Sequence, residues 1–372
     1  MTEWKTYRLG DVCKKVCSGG TPKSTEPTYY DGDIPWLNTK EINFNRIYST
    51  ERSITQKGLD NSSAKWIDAN CVIVAMYGAT AAKVAINKIP LTTNQACCNL
   101  SIDEKIADYH YVYYWLCANY TELASLANGG AQQNLNAQQI KDFEISLPPL
   151  EEQRRIAGIL GAIDDKIENN RRINNNLEQQ AQALYKQWFV DNRSDDWKTL
   201  ILDDVATLSA GGDKPPVCSD KKTPDCNIPI YSNGIDNEGL YGYTNRPRIT
   251  ENSITISARG TIGFVCLRTE PYVPIVRLIS IVPTHENISA YFLYLWALTQ
   301  NISGTGTTQQ QLTVPAFRTT IIVVPSQEIL IKFNKVVKPI FDSIKQYKKE
   351  NITLATLRDT LLPKLMSGEI KL

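Results

Sequence analysis

The amino-acid sequence contains the same plan twice. Residues 4–12 (WKTYRLGDV) return as residues 197–205 (WKTLILDDV). Residues 19–22 (GGTP) are echoed by 211–215 (GGDKP), and residues 131–135 (AQQNL) by 308–312 (TQQQL). A unit this long is a duplicated domain, because solenoid repeats are about 20–50 residues. A chain with two copies of one domain can read two sites on one long ligand.

Composition limits the class of protein. With 372 residues the chain is long enough for two or more domains, and 42% hydrophobic and 21% charged residues are typical of a globular protein. We find no apolar run long enough for a membrane span and no signal-peptide pattern at the N-terminus. The nine cysteines are an odd number, which favours reduced core thiols and a cytoplasmic location over a disulfide framework.

The net charge of +1 is weakly informative. A free-standing DNA-binding protein is usually more basic. If this chain binds DNA, either its basic residues cluster on one face or a partner supplies much of the phosphate contact.

We predict four segments along the chain: a first copy (residues 1–148), a central helix (149–196), a second copy (197–325) and a C-terminal helix (326–372). Turn clusters separate strand-like runs in both copies. In the first copy a helix is predicted over about 109–127. In the second, a strand over 253–257 and a turn over 259–263 precede a helix over about 290–299.

The two long helices each carry one apolar stripe with steps of three and four residues, the seam of a coiled coil. The predicted seam positions are Ile156, Ile163, Ile167, Leu177 and Leu184 in the central helix, with Ile159 in the same stripe, and Phe333, Val337, Ile344, Leu354 and Leu361 in the C-terminal helix, with Leu357. Pro339 is expected to kink the second helix and Pro363 to end it.

The simplest partner for each stripe is the other helix. If both copies share one fold, a pseudo-two-fold axis makes that pair an antiparallel coiled coil. The alternative is two surface helices that pack on their own domains. Asn170, Asn174 and Asn351 interrupt the stripes, and they either fix the register from buried positions or face solvent.

The sequence offers little for catalysis. There is no P-loop, no Ser-His-Asp or Cys-His constellation, and no zinc-ligand spacing around Cys13 and Cys17. His110 is interpreted as structural and His285 as solvent-exposed. Asp164 and Asp165 lie on the central helix, where charged side chains most often face solvent. We therefore predict no catalytic residue, no metal site and no cofactor in this chain.

Polar loops suited to DNA fill both copies. Asn and Gln can pair bidentately with adenine and Arg with guanine, whereas Lys, Ser and Thr contact phosphate. Each loop has an alternative interpretation as an ordinary turn. The candidate DNA-binding residues are Thr21, Lys23, Asn38, Lys40, Tyr77, Thr80, Asn94, Gln95, Gln132, Gln133, Asn134, Ser232, Asn233, Arg246, Arg259, Thr261, Gln309, Gln310 and Gln311.

These segments together resemble the specificity (S) subunit of type I restriction-modification systems. The resemblance covers nearly the whole chain, and its most specific parts are residues 19–22 with 29–36 (YYDGDIPW), 65–67 (KWI), 92–96 (TTNQA), 147–156 (LPPLEEQRRI) and 361–369 (LLPKLMSGE). It implies an α+β fold of two similar mixed α/β target recognition domains joined by two long helices.

The resemblance also implies a function. Each domain would read one half of a split, asymmetric DNA target, and the helices would set the spacing and dock two modification subunits. Those partners would bind S-adenosylmethionine and methylate adenine, and restriction subunits would use ATP and Mg²⁺. The chain itself would be a non-catalytic, DNA-binding subunit for host defence. The alternative is a protein–protein scaffold whose duplicated domains bind no DNA.

Overall fold

The computed structural model describes residues 4–127, 134–303 and 311–372. The fold is α+β and forms two compact units. The first unit comprises Met1–Asn169 with Glu350–Leu372, and the second comprises Asn170–Lys349. Each unit therefore includes a part of both long helices, a division that the sequence-based segments did not have. No helix in the described part of the chain is long and apolar enough to cross a membrane.

In residues 4–127 and 134–148 the first copy contains eleven strands, and it leads into the first long helix. Its strands are β1 (Lys5–Arg8), β2 (Cys13–Ser18), β3 (Tyr30–Leu37), β4 (Asn45–Ile47), β5 (Ser53–Ile54), β6 (Trp66–Ile67), β7 (Val72–Ala75), β8 (Val84–Asn87), β9 (Leu91–Thr93), β10 (Cys97–Ile102) and β11 (Glu144–Leu147). Its helices are α1 (Gln56–Asp60), α2 (Tyr109–Ala118), α3 (Tyr120–Ser125), α4 (Ala137–Asp142) and the long α5 (Leu150–Tyr185).

Three sheets organise the described part of the first unit. A five-stranded sheet has the order β2-β10-β7-β8-β4, a four-stranded sheet has the order β5-β3-β9-β6, and β1 pairs with β11. Strand β7 is apolar at every position and fully buried, as expected for a strand covered on both faces. The sheets position the loops at their ends, which carry most of the candidate residues.

The helix predicted over 109–127 is two helices. Asp108 caps α2 by accepting hydrogen bonds from the backbone N–H groups of His110 and Tyr111. The helix then ends at Asn119, whose side chain donates to the carbonyl of Trp115 at 2.9 Å. Asn competes with helical backbone bonds in this way, so the chain breaks there and α3 starts afresh.

The second copy repeats this plan. Its strands are β12 (Lys198–Ile201), β13 (Ala206–Ala210), β14 (Ile228–Tyr231), β15 (Leu240–Thr244), β16 (Ser253–Ile256), β17 (Val265–Arg268), β18 (Val273–Pro274), β19 (Ile279–Pro283) and β20 (Ile321–Val324). Its helices are α6 (Leu202–Val205), α7 (Ala290–Leu298), α8 (Val314–Arg318) and the long α9 (Gln327–Met366). The predicted strand near 253–257 and helix near 290–299 are confirmed.

The sheets of the second unit correspond to those of the first, although each of the two larger sheets has one strand fewer. The orders are β13-β19-β16-β17, β15-β14-β18 and β12-β20. One parallel strand pair is present in both copies. Trp36 pairs with Thr92 in the first copy, and Ile230 pairs with Val273 in the second. The repeat in the sequence is therefore a repeat of the fold.

In the first unit the two long helices pack against each other and run antiparallel. Asp164 of α5 accepts from Arg358 of α9 at 2.8 Å, and the carbonyl of Ile167 accepts from Asn351 at 3.4 Å. Moving forward along α5 thus means moving backward along α9. The predicted antiparallel pairing is confirmed within this unit.

The predicted seam positions differ in burial. Ile156, Ile167, Phe333, Val337 and Ile344 are buried. The half-buried positions are Ile163, Leu177, Leu184, Leu354 and Leu361. Ile159 and Leu357, which share the apolar stripes, are exposed.

Polar positions on the helices are less solvated than the sequence suggested. Asn170 is buried, so the solvent-facing alternative is wrong for this residue. Asp164 is also removed from solvent: besides Arg358, it accepts from the hydroxyl of Tyr114 at 2.6 Å. The prediction of a solvated face therefore fails for Asp164.

An aromatic cluster forms the core of the second unit where α5 ends. Tyr185, Trp188 and Phe189 surround Phe333 of α9 at ring-centroid distances of 6.2, 5.7 and 4.7 Å. The last turn of this helical segment, Lys186–Asp191, is π-helical. π-helical turns are rare, and the apolar spacing did not predict one here.

The prediction that Pro363 ends the C-terminal helix is wrong. Helix α9 runs through Pro339 and Pro363 to Met366, and its last residues, Leu365 and Met366, are buried in the core of the first unit. Burial of these side chains favours a helix that continues past the proline. Gly368, with φ of +72°, follows the end of the helix, a conformation that glycine adopts most easily.

Candidate nucleic-acid interface

In the first copy, a glycine pair locks one loop onto another. The backbone N–H of Gly20 donates to the carbonyl of Thr93 at 2.8 Å. A Cβ at Gly19 would lie 2.0 Å from that same carbonyl oxygen, and one at Gly20 would lie 2.2 Å from the nitrogen of Ala64. Only glycine permits such close backbone approach. The loop after β2 is therefore fixed against the turn after β9.

This lock brings two candidate residues together at the surface. The hydroxyl of Thr21 donates to the side-chain oxygen of Gln95, and both residues are exposed. Behind them, the indole of Trp36 donates to the carbonyl of Gly20 at 2.9 Å. Lys23 is exposed on the same loop. The first loop pair thus presents an amide, a hydroxyl and an ammonium group to solvent.

Tyr77 and Asn134 form a second exposed pair in the first copy. Their backbones make an isolated antiparallel bridge, and both residues are exposed. The N–H of Met76 donates to the carbonyl of Ala96 at 2.8 Å, which joins this turn to the Gln95 turn. Thr80 is half-buried and donates to the carbonyl of Tyr77 at 3.4 Å.

The structure gives two candidate asparagines a role inside their loops. Asn38 caps residues Thr39–Glu41 in a capping box with the Glu41 side chain. Asn94 is buried, and its side-chain oxygen accepts from the N–H of Ala96 at 3.1 Å. These bonds stabilise the turn conformations and leave little of either side chain for a base. Lys40 is exposed and forms an ion pair with Glu51.

In the second copy, Asn233 connects three loops. Its side-chain nitrogen donates to the carbonyl of Val276 at 2.8 Å, and its oxygen accepts from the N–H of Ala258 at 2.7 Å. Both ends of the amide are thus used within the protein. The neighbouring Ser232 holds Gly239, because its N–H donates to that carbonyl at 2.8 Å. Asn233 is therefore a positioning residue for the loops around it.

Arg259, which directly follows Ala258, contacts Gln311. The guanidinium of Arg259 donates to the side-chain oxygen of Gln311 at 2.9 Å, and Arg259 is exposed. The hydroxyl oxygen of Thr261 is buried, without a hydrogen-bond partner in the part of the chain that the structure describes. Arg246 is exposed. Gln132, Gln133, Gln309 and Gln310 lie outside the described residues, so their predicted base contacts stay predictions.

Sequence reasoning missed two exposed arginines in the second copy. The N–H of Arg277 donates to the carbonyl of Gly211 at 3.0 Å, in the turn that corresponds to the Gln95 turn. A Cβ on Gly212 would lie 2.8 Å from a guanidinium nitrogen of Arg248. The strand pairing of the folded chain shows that this turn corresponds to residues 92–96, a relation that the sequence did not indicate.

Burial makes several of the thiols poorly suited to nucleophilic chemistry. All nine cysteines are free. Burial raises the pKa of Cys13 to about 12, that of Cys98 to about 12 and that of Cys71 to about 11, so these thiols stay protonated at neutral pH. Burial also lowers the pKa of His110. Among residues 4–127, 134–303 and 311–372, no cluster of His, Cys, Asp or Glu could hold a metal ion.

Comparison with known proteins gives consistent matches over both copies. The family described as type I restriction modification DNA specificity domain matches residues 1–179 and 194–359. The type I restriction enzyme MjaIX specificity subunit of Methanocaldococcus jannaschii is 29% identical over 407 aligned residues, covering 99% of this chain and 94% of that protein. The HindI specificity subunit of Haemophilus influenzae is 24% identical, with full coverage of both chains.

A solved structure shares the fold. The crystal structure of a type I restriction-modification system S subunit from M. genitalium superimposes with a TM-score of 0.60 at 19% identity. The match covers 98% of this chain and 96% of that chain.

Proposed function

Because this chain belongs to the family of type I restriction modification DNA specificity domains, we propose that it selects the DNA sequence on which a type I restriction-modification complex acts. Each copy reads one half of a bipartite, asymmetric target. Linking two modest binding modules makes the second contact effectively intramolecular, so the two halves together give high specificity.

One observation carries this proposal: the same loops are assembled at the same places in both copies, with different exposed side chains. The carbonyl of Met76 accepts from Leu135 at 2.8 Å, and the carbonyl of Ala258 accepts from Leu312 at 3.0 Å. The residues that follow them are Tyr77 and Arg259. Two domains that recognise different half-sites require the same loop framework with different exposed side chains.

The partners follow from the family. We propose that two modification subunits dock on the long helices, bind S-adenosylmethionine and methylate adenine, and that restriction subunits bring ATP and Mg²⁺. Exposed apolar side chains on the helices support a docking role. They are Ile159 on α5 and Ile331, Val336, Ile352 and Leu357 on α9. This chain selects the DNA sequence and supplies no catalytic group.

The test is a map of methylated bases in genomic DNA from cells that express this chain with its modification subunit. We expect one split, asymmetric motif with one methylated adenine on each strand. An active modification subunit that works with a different specificity chain but yields no motif with this one would contradict the proposal.

The competing function is a protein–protein scaffold, which the near-neutral net charge favours. Affinity for a duplex at several salt concentrations separates the two. Phosphate contacts release counterions, so the logarithm of the binding constant should fall linearly with the logarithm of salt concentration, with a slope of about −0.9 per contact. A complex without measurable, salt-dependent affinity for the duplex would favour the scaffold.

A further inference from the structure

Three exposed positions differ in chemistry between the copies. In the first copy they are held by Trp66, Tyr77 and Gln95. In the second copy the equivalent places hold Arg248, Arg259 and the turn Val276–Arg277. All of these residues are exposed, including both residues of the turn.

Backbone pairing establishes the first two equivalences. Ile67 pairs with Leu91 next to Thr92, and Ile249 bridges Tyr272 next to Val273, so the residues preceding them, Trp66 and Arg248, correspond. Tyr77 and Arg259 correspond because each follows a carbonyl that accepts from the same leucine of the repeat, as described above.

The third equivalence is a turn. It follows β9 in the first copy and β18 in the second, and in both copies it packs on a glycine pair. The N–H of Gly19 donates to the carbonyl of Cys97, and the N–H of Gly211 donates to that of Leu278. Gln95 is the exposed tip in the first copy. In the second copy Val276 and Arg277 form it, with φ values of +50° and +64°.

The three arginines belong to one continuous set of contacts. Arg248 lies over Gly212, whose carbonyl accepts from the N–H of Val276 at 2.9 Å. The carbonyl of Val276 accepts in turn from Asn233, which also holds the residue before Arg259. The loops that carry the three exposed arginines are therefore joined to one another by hydrogen bonds.

The exposed arginines on these joined loops are suited to an electron-rich partner. Within residues 4–127, 134–303 and 311–372, none of the three arginines forms an ion pair with a carboxylate. Asp213 is exposed on the neighbouring loop and is followed by Lys214. Guanidinium groups fit the two acceptors of guanine, O6 and N7, in a bidentate manner, whereas amides fit adenine and apolar groups fit the thymine methyl.

We propose that the second copy reads a guanine-containing half-site through Arg248, Arg259 and Arg277, whereas the first copy reads an A·T position through Trp66, Tyr77 and Gln95. This inference rests on the proposed function and adds the base class of each half. The asymmetry of the target then has a chemical origin: Arg248 and Arg259 stand where the other copy has two aromatic rings, and the turn that carries Gln95 in one copy carries Arg277 in the other.

The experiment maps methylated bases for complexes that contain single variants of this chain. Arg259→Ala and Arg277→Ala should relax one G·C position, in one half-site only, by about 5- to 150-fold in preference. Arg277→Lys keeps the charge but lacks the planar fork, so it should relax the same position while retaining most of the affinity. Gln95→Ala should relax an A·T position in the other half.

Arg193→Ala is the matched control, because Arg193 is exposed in the second unit but lies outside the three loops. It should leave the motif unchanged. Thermal unfolding of each variant separates a folding defect from a change of preference, and Arg277→Lys serves where Arg277→Ala unfolds.

Two results would overturn the inference. One is relaxation of an A·T position by the arginine variants, and the other is a uniform loss of methylation with the motif intact, which would make the arginines phosphate contacts. A wild-type complex that methylates no split motif would overturn the proposed function as well.

Discussion

At the scale of single residues, the glycine pair of the first copy matters most for positioning. Gly20→Ala should displace the loop after β2, because its Cβ would lie 2.2 Å from the backbone of Ala64. We expect a loss of about 1–3 kcal/mol in the free energy of unfolding and relaxed preference in one half-site. Urea unfolding and methylation mapping measure the two effects.

Gly158→Ala is the control for this prediction. Gly158 is exposed in α5, and a Cβ there meets no atom within 4 Å. Alanine is the better helix former by about 0.5–1 kcal/mol, so this variant should be as stable as the wild type or more so. An equal loss in both variants would show that the loop lock has no special role.

Asn233 should affect the stability and the sequence preference of the second copy, as Gly20 does for the first. Asn233→Ala leaves the N–H of Ala258 and the carbonyl of Val276 without their partner, at a cost of about 1–3 kcal/mol. Preference should relax in the half-site that Arg259 variants affect. Asn233→Asp keeps the acceptor and loses the donor, so its effect on the unfolding midpoint should be intermediate.

Residue types predicted which residues belong to the candidate loops better than they predicted the role of each residue. The sequence identified Gln95 and Arg259, which the structure places at exposed loop tips, and Gln311, which is half-buried beside Arg259. It also selected Asn38 and Asn94, whose side chains hold their own turns. A short amide serves a turn and a base edge equally well, so only the fold shows which groups point outward.

At the scale of elements, ion pairs attach the first copy to its long helix. Arg46 of β4 is buried and pairs with Asp165 and with Glu168 at 3.5 Å, both on α5. Asp164 pairs with Arg358 of α9. Adjacent carboxylates on one helix therefore serve two different contacts, one to the sheet and one to the other helix.

The two carboxylates should differ in their contribution to stability. Asp164→Ala should cost about 2–3 kcal/mol in the free energy of unfolding, because a partly buried Arg358 and the Tyr114 hydroxyl lose their acceptor. Asp165→Ala should cost less, about 1 kcal/mol, because Asp165 is 70% exposed and Arg46 keeps Glu168 as a partner at 3.5 Å. Denaturant titration of both variants tests the order, and a larger loss for Asp165 would contradict it.

Element boundaries show where sequence patterns stop being informative. The strand β16 and the helix α7 were predicted within one or two residues. Asn119 divides a predicted helix, and α9 passes through Pro363, because a local side-chain bond in one case and core burial in the other decide the outcome. These are energies of specific contacts, which an apolar spacing does not contain.

At the scale of the whole molecule, the proposed function makes the long helices a measure of target spacing. Inserting four residues into both α5 and α9 adds about 6 Å of helix. The gap between half-sites should then lengthen by about two base pairs, at about 3.4 Å each. Methylation mapping reads the gap directly, and an unchanged gap in a folded, active variant would rule out a spacing role.

The sequence by itself determined the duplication, the α+β class, the two long helices and the family, because repeats, apolar periods and motifs are properties of residue order. The tertiary structure decided which polar groups reach the surface and which residues of the two copies correspond. Gln95 and Arg277 lie in corresponding turns of the two copies, and in each copy parallel strands and a glycine pair bring distant segments together to form that turn. Such equivalence depends on hydrogen-bond register between strands far apart in the chain, and residue order alone does not specify it.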